Sequence, residues 1–355
     1  MSTRRHRITT NVFIVPTGGP MHISSHANKV QGGLILLTLA VAVSSLCLGQ
    51  YKLSIGQVLT QFAQPHNTLA IAHQIVWEVR LPRILLALLA GGALGLCGAT
   101  LQGVFQNPLV DPHIIGVTSG SAFGGTLAIL LGLSMPLMMS TTFFFGLLAL
   151  TLVYLLAALQ GRENTLVLIL AGIVLSGFFA ALVSLMQYLS DTEEVLPNIV
   201  FWLLGSFATA NWHKVLLLAL PVVAASLVLY RLRWRINLLS LDDKDAQALG
   251  VSVTALRRGV LLCCALLVAS QVAVSGSIAW VGLVIPHLAR MLCGADHRRL
   301  LPCAFWMGAS FMIVVDDLAR TLTAAEIPIG IITALLGAPL FAVMLVRASR
   351  KGMLK

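Results

Sequence analysis

Charged side chains are rare in this chain, so the few that adjoin its apolar segments are the first candidates for chemistry. Arg80 and Arg83 belong to the tetrapeptide Arg-Leu-Pro-Arg just before one such segment, and Asp316 and Arg320 lie near the end of another. Residues four apart share one face of a helix, so we predict that Asp316 and Arg320 form a structural ion pair. The alternative is that Asp316 serves as a proton or ion site.

Patterns typical of enzymes and nucleotide-binding proteins are absent from the sequence. It contains neither His-Glu-x-x-His nor Gly-x-Ser-x-Gly, and no lysine follows a glycine as a P-loop requires. Its six cysteines include no Cys-x-x-Cys pair and lie mostly in apolar runs, which is typical of buried, inert thiols. We therefore predict no catalytic residue, no metal site and no cofactor bound by this chain.

The elements that must position these residues are membrane-spanning helices. Hydrophobic residues make up 58% of the 355 positions and charged residues only 10%, against about 25% charged in soluble domains. A span needs about 20 apolar residues, and the sequence predicts ten of them, at 33–48, 84–105, 114–133, 136–160, 165–189, 215–230, 260–275, 278–292, 301–322 and 329–346. The shorter stretch 196–207 is predicted as a re-entrant or interfacial helix. The predicted fold class is an all-α polytopic membrane protein.

The distribution of lysine and arginine orients these spans. All but five of the 23 basic residues fall in loops on the side of the two termini, and the positive-inside rule places that side in the cytoplasm. The net charge of +10 is therefore attributed to membrane topology and lipid contact, not to nucleic-acid binding. Residues 1–32 are predicted to be a disordered cytoplasmic tail and residues 33–355 a single membrane domain. The five exceptions are Lys52, Arg80, Arg83, Lys214 and Arg320.

Six short motifs follow one another along the chain: Arg-Leu-Pro-Arg at 80–83, Gln-Asn-Pro-Leu-Val-Asp-Pro at 106–112, Gly-Leu-Val-Ile-Pro-His at 282–287, Asp-His-Arg at 296–298, Glu-Ile-Pro-Ile-Gly at 326–330 and Gly-Ala-Pro at 337–339. Together they resemble the permease subunits of the FecCD-type ABC importers for iron chelates, haem and cobalamin. The resemblance implies a homodimer in the bacterial inner membrane and two cytoplasmic ATPase subunits that use ATP and Mg. It also implies a soluble substrate-binding protein, periplasmic or lipid-anchored, that docks outside.

The resemblance assigns roles at both sides of the membrane. On the outer side, the residues that dock acidic groups of the binding protein would be Arg80, Arg83 and Arg320. The alternative is that these arginines snorkel to lipid headgroups. On the cytoplasmic side, the inner gate would be formed by Asn107, Leu109, Asn164 and Thr165. A plain cytoplasmic turn is the alternative there.

The segment 236–259 is the longest internal polar stretch on the predicted cytoplasmic side. Its Ser-Leu-Asp-Asp sequence at 240–243 is a helix-capping pattern, because acids favour a helix N-terminus. We predict two short helices that meet near Gly250, the second starting after Ser252. By resemblance this segment couples the permease to the ATPase, and a solvated loop is the alternative. Its candidate contact residues are Asp242, Asp243, Ala246, Leu249 and Gly250.

Glycines recur at positions 91, 92, 95 and 98 of the second predicted span and at 116, 120 and 124 of the third. Such small residues allow helix backbones to approach closely in a membrane, so we predict tight helix packing at these positions. The alternative is that they line a path for the substrate.

The sequence leaves the transported substrate open. An iron chelate (siderophore) or haem is the first expectation from the resemblance, with cobalamin and molybdate as rivals. The alternative function is an ion-coupled secondary transporter. Such a transporter usually needs ionisable residues facing a cavity inside the membrane, and the predicted spans contain few apart from Asp316 and Asp317.

Overall fold

The computed structural model describes residues 20–49, 51–63, 71–159, 165–241 and 243–350. All regular structure in these residues is helical, which confirms the all-α prediction for this part of the chain. The helices are α1 Pro20–Cys47, α2 Ile55–Ala63, α3 Ile71–Gln74, α4 Leu81–Val104, α5 Val117–Leu130, α6 Met135–Leu159, α7 Thr165–Leu189, α8 Val195–Leu203, α9 Trp212–Leu239, α10 Asp243–Ala248, α11 Val253–Ser275, α12 Val281–Cys293, α13 His297–Thr321 and α14 Ile329–Arg350. A π-helical turn, Ile75–Arg80, joins α3 to α4.

Seven helical segments in the described residues are long and apolar enough to cross a membrane. They are Asn28–Cys47, Ile71–Val104, Met135–Leu159, Thr165–Leu189, Trp212–Leu239, Val253–Ser275 and His297–Thr321. Three shorter apolar helices accompany them, at Val117–Leu130, Val281–Cys293 and Ile329–Met344. Each of the ten predicted spans coincides with one of these ten segments, and the fold is that of a polytopic membrane protein.

The structure corrects two predicted boundaries and one predicted element. Helix α1 begins at Pro20, so the predicted tail boundary at residue 32 moves to residue 20, and residues 1–19 lie outside the described part of the chain. A helix starts after Ser252 as predicted, but the prediction that it is short is wrong, because it is the long helix α11, which begins at Val253. Val253, Leu256 and Val260 are all buried along one face, so the apolar period of the span continues into the supposed loop. Residues 236–239 likewise belong to α9.

Helix α4 lies at the centre of the bundle and packs against α13 and α12 through glycines. A Cβ atom on Gly91 would lie 2.2 Å from the carbonyl oxygen of Gly308, and one on Gly98 would lie 1.9 Å from that of Gly282. Only a hydrogen atom fits in these contacts, so the predicted tight packing is confirmed for this helix.

The glycines of α5 divide into two kinds. Gly120 and Gly124 face α6 so closely that a Cβ on either would approach a backbone oxygen to 2.6 Å. Gly116 instead precedes the helix with φ at 78°, in the left-handed region that glycine adopts without strain. Packing therefore explains two of these three glycines, and backbone conformation explains the other.

The short helix α8 lies where the re-entrant or interfacial helix was predicted. Trp202 at its end packs on Gly125 of α5. The carbonyl groups of Leu204 and Gly205, just beyond α8, accept hydrogen bonds from Gly330 and Ile329 at 2.9 and 3.0 Å. These bonds satisfy backbone donors at the start of α14, which a helix N-terminus leaves unpaired.

The bundle has two ends with different polar clusters. At the first, which we call the Arg83 end, α4 begins and α13 finishes. At the second, the Asn107 end, α4 finishes and α13 begins, and the side chain of Asn237 at the end of α9 donates to Asp296 at 2.7 Å. Asp296 also caps α13 by accepting from the backbone of Arg298 at 2.9 Å.

Candidate functional site

Arg83 is the centre of a buried ion-pair cluster at the Arg83 end. Its Nε and Nη2 atoms donate to the carboxylate of Asp316 at 2.9–3.0 Å. Its Nη1 and Nη2 atoms donate to Glu326 at 2.7 and 2.9 Å. The planar guanidinium group can bind two carboxylates in this forked manner at once. Arg83 thereby joins α4 to α13 and to the loop before α14, and this favours a structural role for Asp316 over an ion site.

Arg320 forms a second cluster beside the first. Its Nη2 atom donates to Asp317 at 2.5 Å and its Nη1 atom to the carbonyl oxygen of Leu48 at 2.7 Å. The predicted pair is present, with Arg320 Nε 3.9 Å from the carboxylate of Asp316. It is the longest of the ion pairs here: Asp316 has a shorter contact with Arg83, and Arg320 has a shorter contact with Asp317. Both spacings of three and four place side chains on one helix face, so spacing alone does not choose between the two acids.

Arg80 is also bound internally. Its Nη1 atom donates to the carbonyl oxygen of Leu46 at 2.5 Å, and its Nη2 atom donates to that of Tyr51. Lys214 is buried as well, while Lys52 is exposed. The docking role of Arg80, Arg83 and Arg320 stays a prediction. To bind acidic groups of another protein, each guanidinium group would have to release its internal hydrogen-bond acceptors or bind both sets at once.

The predicted gate residues lie at the Asn107 end. The side-chain oxygen of Asn107 accepts the backbone N–H of Leu109 at 2.9 Å, which is the bond that closes an Asx turn. Leu109 is exposed, and Thr165 is the first residue of α7. Asn164 and Asp242 lie outside the described residues. The gate itself stays a prediction, and the plain-turn alternative describes the local geometry of Asn107.

The predicted coupling segment contains one short helix, α10, at the Asn107 end. The carboxylate of Asp243 pairs with Nη2 of Arg257 in α11 at 2.8 Å, and Ala246 is fully buried. Gly250, with φ at 79°, adopts the left-handed conformation typical of a residue just past a helix end. Leu249 is 62% exposed. Helix α10 is therefore anchored to α11, and Leu249 directly after it exposes an apolar side chain.

Gln106 connects the two candidate sites of the Asn107 end. Its side-chain Nε2 donates to the carbonyl oxygens of Leu239 and Leu241, at 3.0 and 2.8 Å, just before α10. Its φ of 50° is uncommon for a residue other than glycine. The predicted gate turn and the predicted coupling segment are thus hydrogen-bonded to each other through one strained residue.

Sequence reasoning missed Gln106 and Glu326 as functional candidates. The partners of Gln106 are backbone atoms more than 130 positions away, and Glu326 lies 243 positions from Arg83. Such contacts leave no local spacing pattern. The available signal was that both residues begin one of the six motifs, at 106–112 and at 326–330.

Comparison with known proteins gives consistent matches over nearly the whole chain. The model of the FecCD transport family matches residues 36–347. The molybdate import system permease protein of Haemophilus influenzae is 55% identical over 328 residues, which are 92% of this chain and 97% of the relative. The hemin transport system permease protein of Yersinia pestis is 38% identical over 330 residues, 90% of this chain and 97% of the relative. A solved structure, described as an inward-facing conformation of a metal-chelate type ABC transporter, has a TM-score of 0.84 at 54% identity and covers 90% of this chain and 99% of that chain.

Proposed function

Because the chain belongs to the FecCD transport family and is the membrane permease subunit of an ABC importer, we propose that the substrate it transports is molybdate. The supporting observation is the 55% identity with a molybdate permease, against 38% with a hemin permease. This reverses the order expected from the motifs alone, which put an iron chelate or haem first. An iron chelate is the second candidate, supported by the 54% identical structure of a metal-chelate type transporter.

We propose the assembly that the resemblance implies. Two copies of the permease, each with ten spans and cytoplasmic termini, pair with two ATPase subunits that use ATP and Mg. A substrate-binding protein docks on the outer side. In support, the apolar helices coincide with the ten predicted spans, and the basic residues concentrate on one side. In this arrangement the Asn107 end is cytoplasmic and the Arg83 end faces outward. The chain itself is a transport protein and not an enzyme.

The proposed mechanism is alternating access driven by the ATPase subunits. Helix α10 and Leu249, the residue that follows it, contact the ATPase, and the ion pair between Asp243 and Arg257 makes α10 move together with α11. Gln106 carries this motion to the turn at Asn107 and Leu109, which acts as the inner gate. On the outer side, acidic residues of the binding protein engage the arginines of the Arg83 end.

Uptake by proteoliposomes tests the substrate and the energy source together. The vesicles contain the permease, its ATPase and its binding protein, and radioactive molybdate, a ferric siderophore and haem are offered separately. We expect ATP-dependent uptake of molybdate that tungstate, an oxyanion of similar shape, competes away. A matched complex with an ATPase that binds but does not hydrolyse ATP should be inactive. Uptake of the siderophore or haem without uptake of molybdate would contradict the substrate, and uptake driven by an ion gradient alone would contradict ATP coupling.

A further inference from the structure

We propose that a groove between α1, α4, α9 and α13 binds an anionic phospholipid, with Arg231 and Arg233 holding its phosphate group. The groove has a volume of about 460 Å³ and lies away from both candidate sites described above. The proposal rests on the proposed function only for the membrane orientation, which puts the arginine end of the groove in the cytoplasmic leaflet.

The walls of the groove fit an acyl chain. Leu89 of α4, Val222 and Leu227 of α9, and Phe305 of α13 line it with apolar surface. Arg233 follows Val222 by eleven positions of α9, or about 16 Å along the helix axis. Half of the bilayer hydrocarbon is about 15 Å thick. The groove therefore extends along about one leaflet.

The mouth of the groove is positively charged. Arg231 and Arg233 line it and both are exposed. Within the described residues neither arginine has a carboxylate partner, and Arg233 donates only to the carbonyl oxygen of Arg298, at 3.3 Å. The guanidinium group of Arg298 lies 5.6 Å above the ring of Trp234, which keeps a third positive charge nearby. Such clusters beside a membrane helix bind anionic headgroups, and arginine binds phosphate oxygens with charge-assisted hydrogen bonds.

Ser226 distinguishes this groove from an ordinary basic helix end. Its side chain lines the groove, the residue is 7% exposed, and its hydroxyl has no hydrogen-bond partner among the described residues. Serines in apolar helices commonly bond to a carbonyl one turn earlier, as Ser270 does to Leu266 at 2.6 Å. A buried hydroxyl without a hydrogen-bond partner costs free energy, and a bound ligand that hydrogen-bonds to it would remove that cost.

The order of these groups along α9 matches a glycerophospholipid. Along α9 the arginines lie at the mouth, Ser226 lies about one and a half turns deeper, and Val222 lies deeper still, just as phosphate, ester oxygens and acyl chain follow one another in the lipid. A free phosphate ion would use the arginines and leave the hydroxyl and the apolar walls uncovered. The groove therefore favours the lipid.

Native mass spectrometry of the full-length permease tests the proposal without substrate or ATP, so its failure is distinct from failure of the transport function. The protein is delipidated in mild detergent and offered equal amounts of phosphatidylglycerol and phosphatidylcholine. We expect the wild type to retain the anionic lipid preferentially, and the double variant R231Q/R233Q to reduce that retention about ten-fold. The matched control R235Q/R347Q removes two exposed arginines outside the groove and should retain the lipid normally.

Ser226 gives two further variants. S226L places an apolar branch in the groove and should lower retention of the lipid, while S226A keeps the fold, loses only the hydroxyl and should lower retention less. Equal retention by R231Q/R233Q and R235Q/R347Q would overturn the proposal. Displacement of the lipid by excess inorganic phosphate, together with normal retention by S226L, would indicate a free-anion site and would also overturn it.

Discussion

Arg83 of α4 and Asp316 of α13 form a forked ion pair across 233 positions of the sequence, and both residues are almost completely buried. Each has given up water for the other, so each depends on the other to remain charged at low cost. Glu326 is the additional partner of Arg83, and its side chain is 33% exposed. Arg83 therefore has one fully buried carboxylate partner, Asp316, and one partly exposed partner, Glu326.

The buried pair makes a prediction about stability. Asp316→Asn should lower the free energy of unfolding by about 3 kcal/mol, because it removes the buried carboxylate and leaves Arg83 with only the partly exposed carboxylate of Glu326. The double variant Arg83→Leu/Asp316→Leu should be closer to the wild type than Asp316→Asn, because apolar residues of similar size remove both charges together. Thermal unfolding in detergent, followed by tryptophan fluorescence, measures both. A double variant that is no more stable than Asp316→Asn would contradict the view that each charge of the pair depends on the other.

The contact of Glu326 with Arg83 leads to a prediction about the affinity of the substrate-binding protein. In the unbound permease it occupies the face of Arg83 that an acidic residue of the binding protein would need, so Glu326→Gln should tighten binding of that protein several-fold. Glu193→Gln is the matched control, because it removes an exposed acid from a loop on the same end. Affinity is measured by surface plasmon resonance at low and high salt, since exposed charge pairs weaken with ionic strength. If both variants gained the same affinity, the cause would be reduced charge repulsion between the permease and the acidic binding protein. Competition between Glu326 and the binding protein for Arg83 would then be contradicted.

The exposed leucine after α10 makes a prediction about the ATPase. Leu249→Asp should reduce co-purification of the ATPase subunit by about ten-fold or more, because an apolar anchor at the centre of an interface contributes strongly to binding. Leu131→Asp is the matched control, since Leu131 is 61% exposed but lies at the Arg83 end. Both variants should insert and remain folded, as neither side chain is in the core. Normal recovery of the ATPase with Leu249→Asp would show that α10 is not its binding element.

The link through Gln106 makes a prediction about coupling. Gln106→Asn keeps a residue that tolerates positive φ but shortens the side chain by one methylene, so the bonds to Leu239 and Leu241 are lost. We expect the ATPase to remain bound and active while the substrate transported per ATP hydrolysed falls. Gln106→Ala serves as a comparison in which the same bonds are lost and the backbone strain is also unfavourable. An unchanged ratio of transport to hydrolysis in Gln106→Asn would remove Gln106 from the coupling path.

The positions of the helices could be predicted from the sequence because the determining signals are local. The ten apolar runs and the short helix near Pro197 depend on residues within a few turns of one another. The predicted cap at Ser240 differs, because Ser240 closes the C-terminal end of α9. The prediction that the helix after Ser252 is short failed, because signals for a loop and for a continuing helix overlap there within one turn. At Ser252 a polar loop composition and a continuing apolar period coincide, and the burial of Val253 and Leu256 extends α11 into the predicted loop.

The sequence by itself determined that this chain is a helical membrane permease, where its helices lie, and that acids and arginines meet near the ends of α4 and α13. Only the tertiary structure decided which acid meets which arginine. Neighbouring residues on a helix point about 100° apart, so Asp316 faces α4 and Asp317 faces α1 only because of the rotation that α13 adopts. With this rotation Gly308 packs against Gly91, Arg83 reaches Asp316, and the shortest carboxylate contact of Arg320 is with Asp317.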